Sequence, residues 1–230
     1  MTGLNPLTMT IELLGGLALF LYGMEKMTDG LKAAAGQQMN ALLAKLTGNA
    51  FLGAITGALV TAVIQSSSVT TVLVVGFVSA GIMTLVQSVG VIFGANVGTT
   101  VTAQIVAFNT TALAYPLIAI GFFMSFVWKQ GVVRHYGAML MGLGLIFYGM
   151  ATMGSAMSPL RTHEGFVQLL QSLQNPILGM LAGAVFTALV QSSSATIGLA
   201  VVMATQGLLS LPAGIAILFG AKIGTGITAI

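Results

Sequence analysis

Apolar residues run almost unbroken through long stretches of this chain, and the few polar positions fall in the same order twice. Residues 9–24 are apolar except for Thr10 and Glu12, and extended from about Pro6 to Met27 the run reaches the roughly 20 residues that a membrane-spanning helix needs. Glu12, near its start, is expected at the interface, where a lone acid reaches headgroup water at little cost. Over residues 25–48, apolar Leu31, Ala34, Ala35, Met39, Leu42, Leu43 and Leu46 recur at helical spacing among Glu25, Lys26, Asp29, Lys32 and Lys45. That pattern predicts an amphipathic helix on the membrane surface, ended by Gly48-Asn49.

Residues 49–82 form a long apolar run broken by Gln65-Ser66-Ser67-Ser68. At 1.5 Å per residue each arm is roughly 21–24 Å, short of the roughly 30 Å hydrocarbon core, so the run is either a re-entrant hairpin or a longer tilted crossing. Residues 84–108 are a second run, with Gly94-Ala95-Asn96-Val97-Gly98-Thr99-Thr100 at its middle. Glycines around an Asn, followed by hydroxyls, predict a spanning helix unwound at mid-depth. Thr111 to Trp128 is an ordinary span with Trp128 as interfacial anchor, and Lys129, Arg134 and His135 lie in the loop 129–135.

The same order then returns. Residues 136–153 form a span, 154–175 a polar linker with Pro159, Arg161, His163 and Glu164, 176–206 a run broken by Gln191-Ser192-Ser193-Ser194, and 208–230 a run containing Gly220-Ala221-Lys222-Ile223-Gly224-Thr225. Gln191 follows Gln65 by 126 positions (191 − 65), and the offset holds without a gap from Tyr22-Gly23-Met24 against Tyr148-Gly149-Met150 to Gly98-Thr99 against Gly224-Thr225. Roughly a third of the aligned positions are identical, so the chain is a duplication: repeat 1 over 1–128, a loop at 129–135, repeat 2 over 136–230. Ile230 corresponds to Gln104, so the last span of the first repeat has no counterpart, and the chain is expected to be truncated or completed by a neighbour in a homo-oligomer.

Composition places this pattern in a bilayer. Hydrophobic residues make up 57% and charged residues 5%, against about 25% charged in soluble domains. The 30 glycines suit closely packed membrane helices. There is no cysteine, hence no disulfide or thiolate chemistry, and Met1 to Thr8 lacks the basic region of a cleaved signal. A net charge of +3 gives no ground for a nucleic-acid partner.

Charge distribution decides between the hairpin and the crossing. If the Gln-Ser-Ser-Ser run returns to its own side, Lys26, Lys32, Lys45, Lys129 and Arg134 share one face, with only Arg161 opposite. If it crosses, the basic loops fall on opposite faces. The positive-inside rule favours the hairpin, with the shared face cytoplasmic and the N-terminus outside. Three crossings then separate Tyr22 from Tyr148, which inverts the second repeat. The expected fold is all-α and integral to the membrane: two inverted-topology repeats, each with a transmembrane helix, an amphipathic surface helix, a re-entrant helical hairpin and an interrupted transmembrane helix.

The polar blocks offer amide and hydroxyl oxygens without charge. Such oxygens, with backbone carbonyls, suit a singly charged cation such as Na⁺. The N–H groups that open the following half-helix suit an anion. One block can serve both, as coupled symport requires. Ser and Thr also tighten helix packing without further role, but a four-residue block repeated at a fixed offset favours function. Enzymatic readings fail on partners. His135 and His163 lie in predicted loops, no Gly-x-Ser-x-Gly elbow is present, no acid accompanies Ser67 or Ser193, and no Cys/His cluster could hold zinc. Lys222 stands where the first repeat has Asn96, at predicted mid-membrane depth. An intramembrane lysine contacts an anion, replaces a bound cation, or snorkels as a tolerated substitution.

With both motifs in view, the chain resembles the bacterial branch of the type II sodium/phosphate cotransporter family. That family pairs inverted repeats, each with Gln-Ser-Ser-Ser followed by Gly-Ala-Asn-Ile/Val-Gly-Thr. Gln65 to Ser68, Gln191 to Ser194 and Gly94 to Thr99 match, and the resemblance covers nearly the whole chain. It implies Na⁺-coupled symport of inorganic phosphate across the bacterial inner membrane by alternating access, with Na⁺ as coupling ion and no other cofactor. Gln65, Ser66, Ser67, Ser68, Gln191, Ser192, Ser193 and Ser194 would line the ion and phosphate sites, with Na⁺ held through Gln65, Ser66, Gln191 and Ser192. Thr70, Thr196, Asn96, Thr99 and Thr225 are secondary candidates. Lys222 departs from the family's Asn, and by the resemblance further C-terminal membrane helices, and in many bacterial members a soluble helical domain, would be expected after the second repeat. A symporter of the same fold for another small anion or for protons, and a non-transporting regulatory or scaffold protein, are the competing readings.

Overall fold

The structure is a computed structural model and describes residues 6–35, 49–107, 111–159, 163, 165, 168 and 175–227. Among these residues the fold is all-α, with nine helices in chain order: α1 (Pro6–Ala35), α2 (Ala50–Ile64), α3 (Ser67–Ser79), α4 (Leu85–Ala107), α5 (Ala114–Val127), α6 (Val132–Met157), α7 (Pro176–Val190), α8 (Ser193–Thr205) and α9 (Leu211–Ile227). A 3₁₀ turn, Thr111–Leu113, leads into α5. Leu7–Ala34 and Val132–Met157 are each long and apolar enough to cross a bilayer alone. Side chains such as Leu189 and Leu211, each 77% exposed, present bulk hydrocarbon to the surroundings, which is stable only against lipid.

The duplication is geometric as well as sequential. α2 and α7 each begin behind an asparagine cap. Asn49 Oδ1 accepts from the Leu52 N–H at 2.8 Å, and Asn175 Oδ1 accepts from the Ile177 N–H at 3.0 Å. Their C-caps, Gln65 and Gln191, and the starts of α3 and α8 fall at the same offset.

The first span and the start of the predicted surface helix are one rod. α1 continues through Glu25 to Ala35 because nothing there breaks a helix, and the Lys26 ammonium sits 5.1 Å from the Tyr22 ring centre one turn earlier. The remainder of that predicted helix, residues 36–48, lies outside the described residues, as does most of the linker after Pro159. α6 likewise starts earlier than its predicted 136, at Val132, directly after Gly131 with φ 95°.

One expectation is overturned. α4 and α9 are not interrupted: each is a single helix through its Gly-Ala-Asn or Gly-Ala-Lys motif. The glycines there admit a neighbour instead of unwinding the chain. A Cβ on Gly94 would stand 1.9 Å from the Ala54 carbonyl oxygen of α2, and one on Gly220 would stand 1.9 Å from the Met180 oxygen of α7. The hydroxyls bond back to their own helix, Thr99 Oγ1 to the Ala95 oxygen at 3.0 Å and Thr225 Oγ1 to the Ala221 oxygen at 2.9 Å.

The same close approaches give the helix directions. Gly90, Gly94 and Gly98 meet Ala50, Ala54 and Ala58 in ascending order, so α2 and α4 run parallel. Gly220 and Gly224 meet Met180 and Ala184, so α7 and α9 do the same. Gly16, Gly23 and Gly30 meet Gly149, Gly142 and His135 in descending order, so the equivalent helices α1 and α6 are antiparallel. The core sits along that α1–α6 seam, where Phe20, Ile146 and Met153 are fully buried and α8 closes over them.

Candidate functional site

Each polar block makes a two-residue corner. Gln65 ends α2 with φ 58°, ψ 23°, and Gln191 ends α7 with φ 57°, ψ 24°. Among the described residues these are the only non-glycine positions in the left-handed region. That conformation costs roughly 1–2 kcal/mol for an L-residue, so two equivalent glutamines held in it mark a constrained feature. Each amide side chain folds back on its own helix, Gln65 Nε2 donating to the Ala62 oxygen and Gln191 Nε2 to the Ala188 oxygen at 2.6 Å. Ser66 and Ser192 follow in extended conformation and cap the next helix, their hydroxyl oxygens accepting from Val69 N–H at 3.3 Å and Ala195 N–H at 3.2 Å.

A buried hydroxyl pair clamps each corner. Thr61 Oγ1 lies 2.9 Å from Thr70 Oγ1, and Thr187 Oγ1 lies 2.6 Å from Thr196 Oγ1. Residues nine apart in a continuous helix stand about 13 Å apart along the axis, so contact across nine positions requires a sharp change of direction. Thr70 and Thr196 also donate to the Ser66 and Ser192 oxygens, each at 3.2 Å. They are therefore occupied with holding the corner. Thr61 and Thr187, not singled out from the sequence as site residues, are their partners, and their signal was the match at the repeat offset.

Five of the candidates, Ser67, Ser68, Asn96, Lys222 and Thr225, line one cavity of about 160 Å³. Ser67, Ser68 and Thr71 of α3 line it, with Ile92 and Asn96 of α4 and Lys222, Thr225 and Gly226 of α9. Both repeats contribute, and the equivalent positions Asn96 and Lys222 face the same space. Ser67 and Ser68 belong to the first turn of α3, whose dipole places its positive end there. Lys222 carries the one charge on the wall among the described residues, and its Nζ is buried with no hydrogen-bond partner among them. Such a wall, hydroxyls and amide around an unspent ammonium, suits a small oxyanion.

The expected site is only partly assembled. Gln65 and Ser66 sit half-buried at the corner beside this cavity and are not on its wall. Ser193 and Ser194 are buried, Ser192 caps α8, and Gln191 is exposed, so the second block does not line the cavity. Thr196 instead borders a separate apolar cavity of about 170 Å³ with Phe186 and Met203. Thr99 is buried in its own helix. Thr71 was missed. It lies one turn beyond Ser67 and bonds its carbonyl at 2.8 Å, but its repeat counterpart is Ile197, so matching the repeats hides it.

Comparisons with known proteins bear on this geometry. The family described as Na⁺/Pi-cotransporter matches residues 19–155 and again 156–230. YqeW of Bacillus subtilis (strain 168), an uncharacterised protein, is 29% identical over 212 residues, 92% of this chain and 69% of that one. YjbB of Escherichia coli (strain K12), provisionally named an inorganic phosphate export protein, is 30% identical over 220 residues, 95% of this chain and 40% of that one. The human sodium-dependent phosphate transport protein 2B is 34% identical over 97 residues, 40% of this chain and 14% of its own length. The chain thus spans well under half of the two phosphate-named relatives. No solved structure matches it.

Proposed function

This chain belongs to the Na⁺/Pi-cotransporter family, a family of membrane transporters and not of enzymes, and on that premise we propose that it is the core of a Na⁺-coupled inorganic phosphate transporter. The observation that carries the reading is the cavity shared by the repeats. The Ser67 and Ser68 hydroxyls, the Asn96 amide and the Lys222 ammonium put donors on a wall sized for one small oxyanion, beside the Thr71 and Thr225 hydroxyls, which bond the Ser67 and Ala221 carbonyls of their own helices. The helix end at Ser67 adds positive potential. Na⁺ binds near the Gln65–Ser66 and Gln191–Ser192 corners, where helix ends leave carbonyl oxygens outside the helical ladder.

Alternating access follows from inverted repeats. α2–α3 and α7–α8 are the re-entrant hairpins of two repeats joined by a cytoplasmic connection at residues 128–131, shorter than the predicted loop 129–135 because α6 already begins at Val132, with the N-terminus outside. The parallel course of α2 and α4 supports the hairpin, since α3 must carry the chain back between them. The antiparallel course of α1 and α6 supports the inversion. The protein is multi-pass in the bacterial inner membrane.

A second reading reverses the physiological direction. YjbB is provisionally named for phosphate export, and it aligns with nearly all of this chain. In a reversible carrier the gradients and not the site chemistry set the direction of net flux, so both readings use the same cavity.

The test is uptake of labelled phosphate into proteoliposomes under an inward Na⁺ gradient, with K⁺ as control. Na⁺-dependent uptake that is lost in the Gln65→Ala, Gln191→Ala double variant is expected. Folded, inserted protein that neither takes up nor releases phosphate under either gradient overturns transport by this chain.

A further inference from the structure

Asn96 and Lys222 occupy equivalent positions in the two repeats (222 − 96 gives the same offset of 126) and line one cavity. At the first position the chain presents a neutral amide, whose oxygen, with hydroxyls beside it, suits a mobile monovalent cation at a station in the cavity, separate from the two corners proposed above. At the second it presents a covalently held cation. All other side chains on the wall are uncharged among the described residues. The Lys222 ammonium has three donors, and its buried Nζ meets no acceptor among the described residues. Lys222 itself lies within α9, which runs unbroken past it, so the position is held by a helix and not by a movable loop.

An oxyanion in a small cavity walled by membrane helices needs a counter-charge, because a buried unpaired charge is costly. A tethered ammonium supplies that charge without recruiting a mobile ion. It also repels a free cation from the same station, since two like charges within one small cavity disfavour each other. We propose that Lys222 is a built-in counter-cation, taking in the second repeat the place that a mobile coupling ion would occupy beside an Asn, so that phosphate binds with one fewer Na⁺ than it would if both stations carried Asn. This rests on the phosphate reading above and deepens it by assigning what sets the number of coupled ions.

The experiment measures equilibrium binding of labelled inorganic phosphate to the purified full chain in nanodiscs, across a Na⁺ series at constant ionic strength made up with choline. Wild type, Lys222→Asn, Lys222→Arg and Lys222→Met are compared, each first shown to be monodisperse with a cooperative thermal transition. The slope of log affinity against log Na⁺ is the readout. Lys222→Asn is expected to steepen the slope by about one, with weak binding at low Na⁺ that recovers to within a few-fold of wild type at saturating Na⁺. Lys222→Arg keeps the wild-type slope. Lys222→Met, with neither charge nor cation ligand, binds weakly at every Na⁺ concentration. An unchanged slope in Lys222→Asn overturns the proposal, as does binding that Na⁺ cannot restore, because Lys222 would then be an anion contact only. Absence of phosphate binding in the wild type overturns the phosphate reading itself, and this proposal with it.

Discussion

Thr187 Oγ1 and Thr196 Oγ1 lie 2.6 Å apart across the corner between α7 and α8, as Thr61 and Thr70 do at 2.9 Å between α2 and α3. All four threonines are buried. Thr196→Val leaves the Thr187 hydroxyl without that partner and should cost about 1–3 kcal/mol, whereas replacing both by Val should cost less than the single change. Thermal unfolding in detergent of both singles and the double variant forms the cycle. Additive losses would show that the pair does not couple.

The left-handed glutamines separate stability from function. Gln65→Gly removes a roughly 1 kcal/mol backbone penalty and should leave melting unchanged or raised, because glycine adopts φ 58° without strain. The amide is lost at the same time, so phosphate transport should fall at least tenfold. Retained transport in a folded Gln65→Gly protein would remove the side chain from the site. Gln191→Gly tests the second corner in the same way.

Packing at the glycine seams tolerates no side chain. Gly94→Ala sets a methyl against the Ala54 carbonyl and Gly220→Ala sets one against the Met180 carbonyl, so α2–α4 or α7–α9 must part. Each change should destabilise by about 1–3 kcal/mol, read as a lowered melting temperature or loss of monodisperse protein. Gly76→Ala on α3, where a Cβ meets nothing within 4 Å, is the control and should be neutral.

Thr71 and Ile197 are equivalent by the repeat, yet only Thr71 lines the shared cavity. Thr71→Val removes one hydroxyl and should weaken phosphate binding about threefold to tenfold, matching one hydrogen bond of roughly 0.5–1.5 kcal/mol. Ile197→Ala, in the buried face of α8, should lower stability and leave phosphate affinity within twofold. Equal effects on affinity would mean that the two repeats contribute alike.

Residue pattern alone determined the membrane class, the duplication and the corners. Gln65-Ser66 and Gln191-Ser192 interrupt apolar runs on which no helix-favouring face continues, and the helices do end at Ile64 and Val190. The motif that carries family membership is the same local chemistry. Tertiary structure decided what the glycines do. Gly94-Ala95-Asn96 fits an unwound helix as well as a tightly packed one, and the choice was made by a carbonyl of another helix, Ala54, too near for any Cβ. It decided equally that Thr70 and Thr196 turn toward their corners while Thr71, without a repeat partner, turns toward the cavity. The meeting of Asn96 with Lys222 belongs to the same class: sequence relates them by an offset, but only the packing of α3, α4 and α9 around one space brings an amide and an ammonium to the wall of the same cavity.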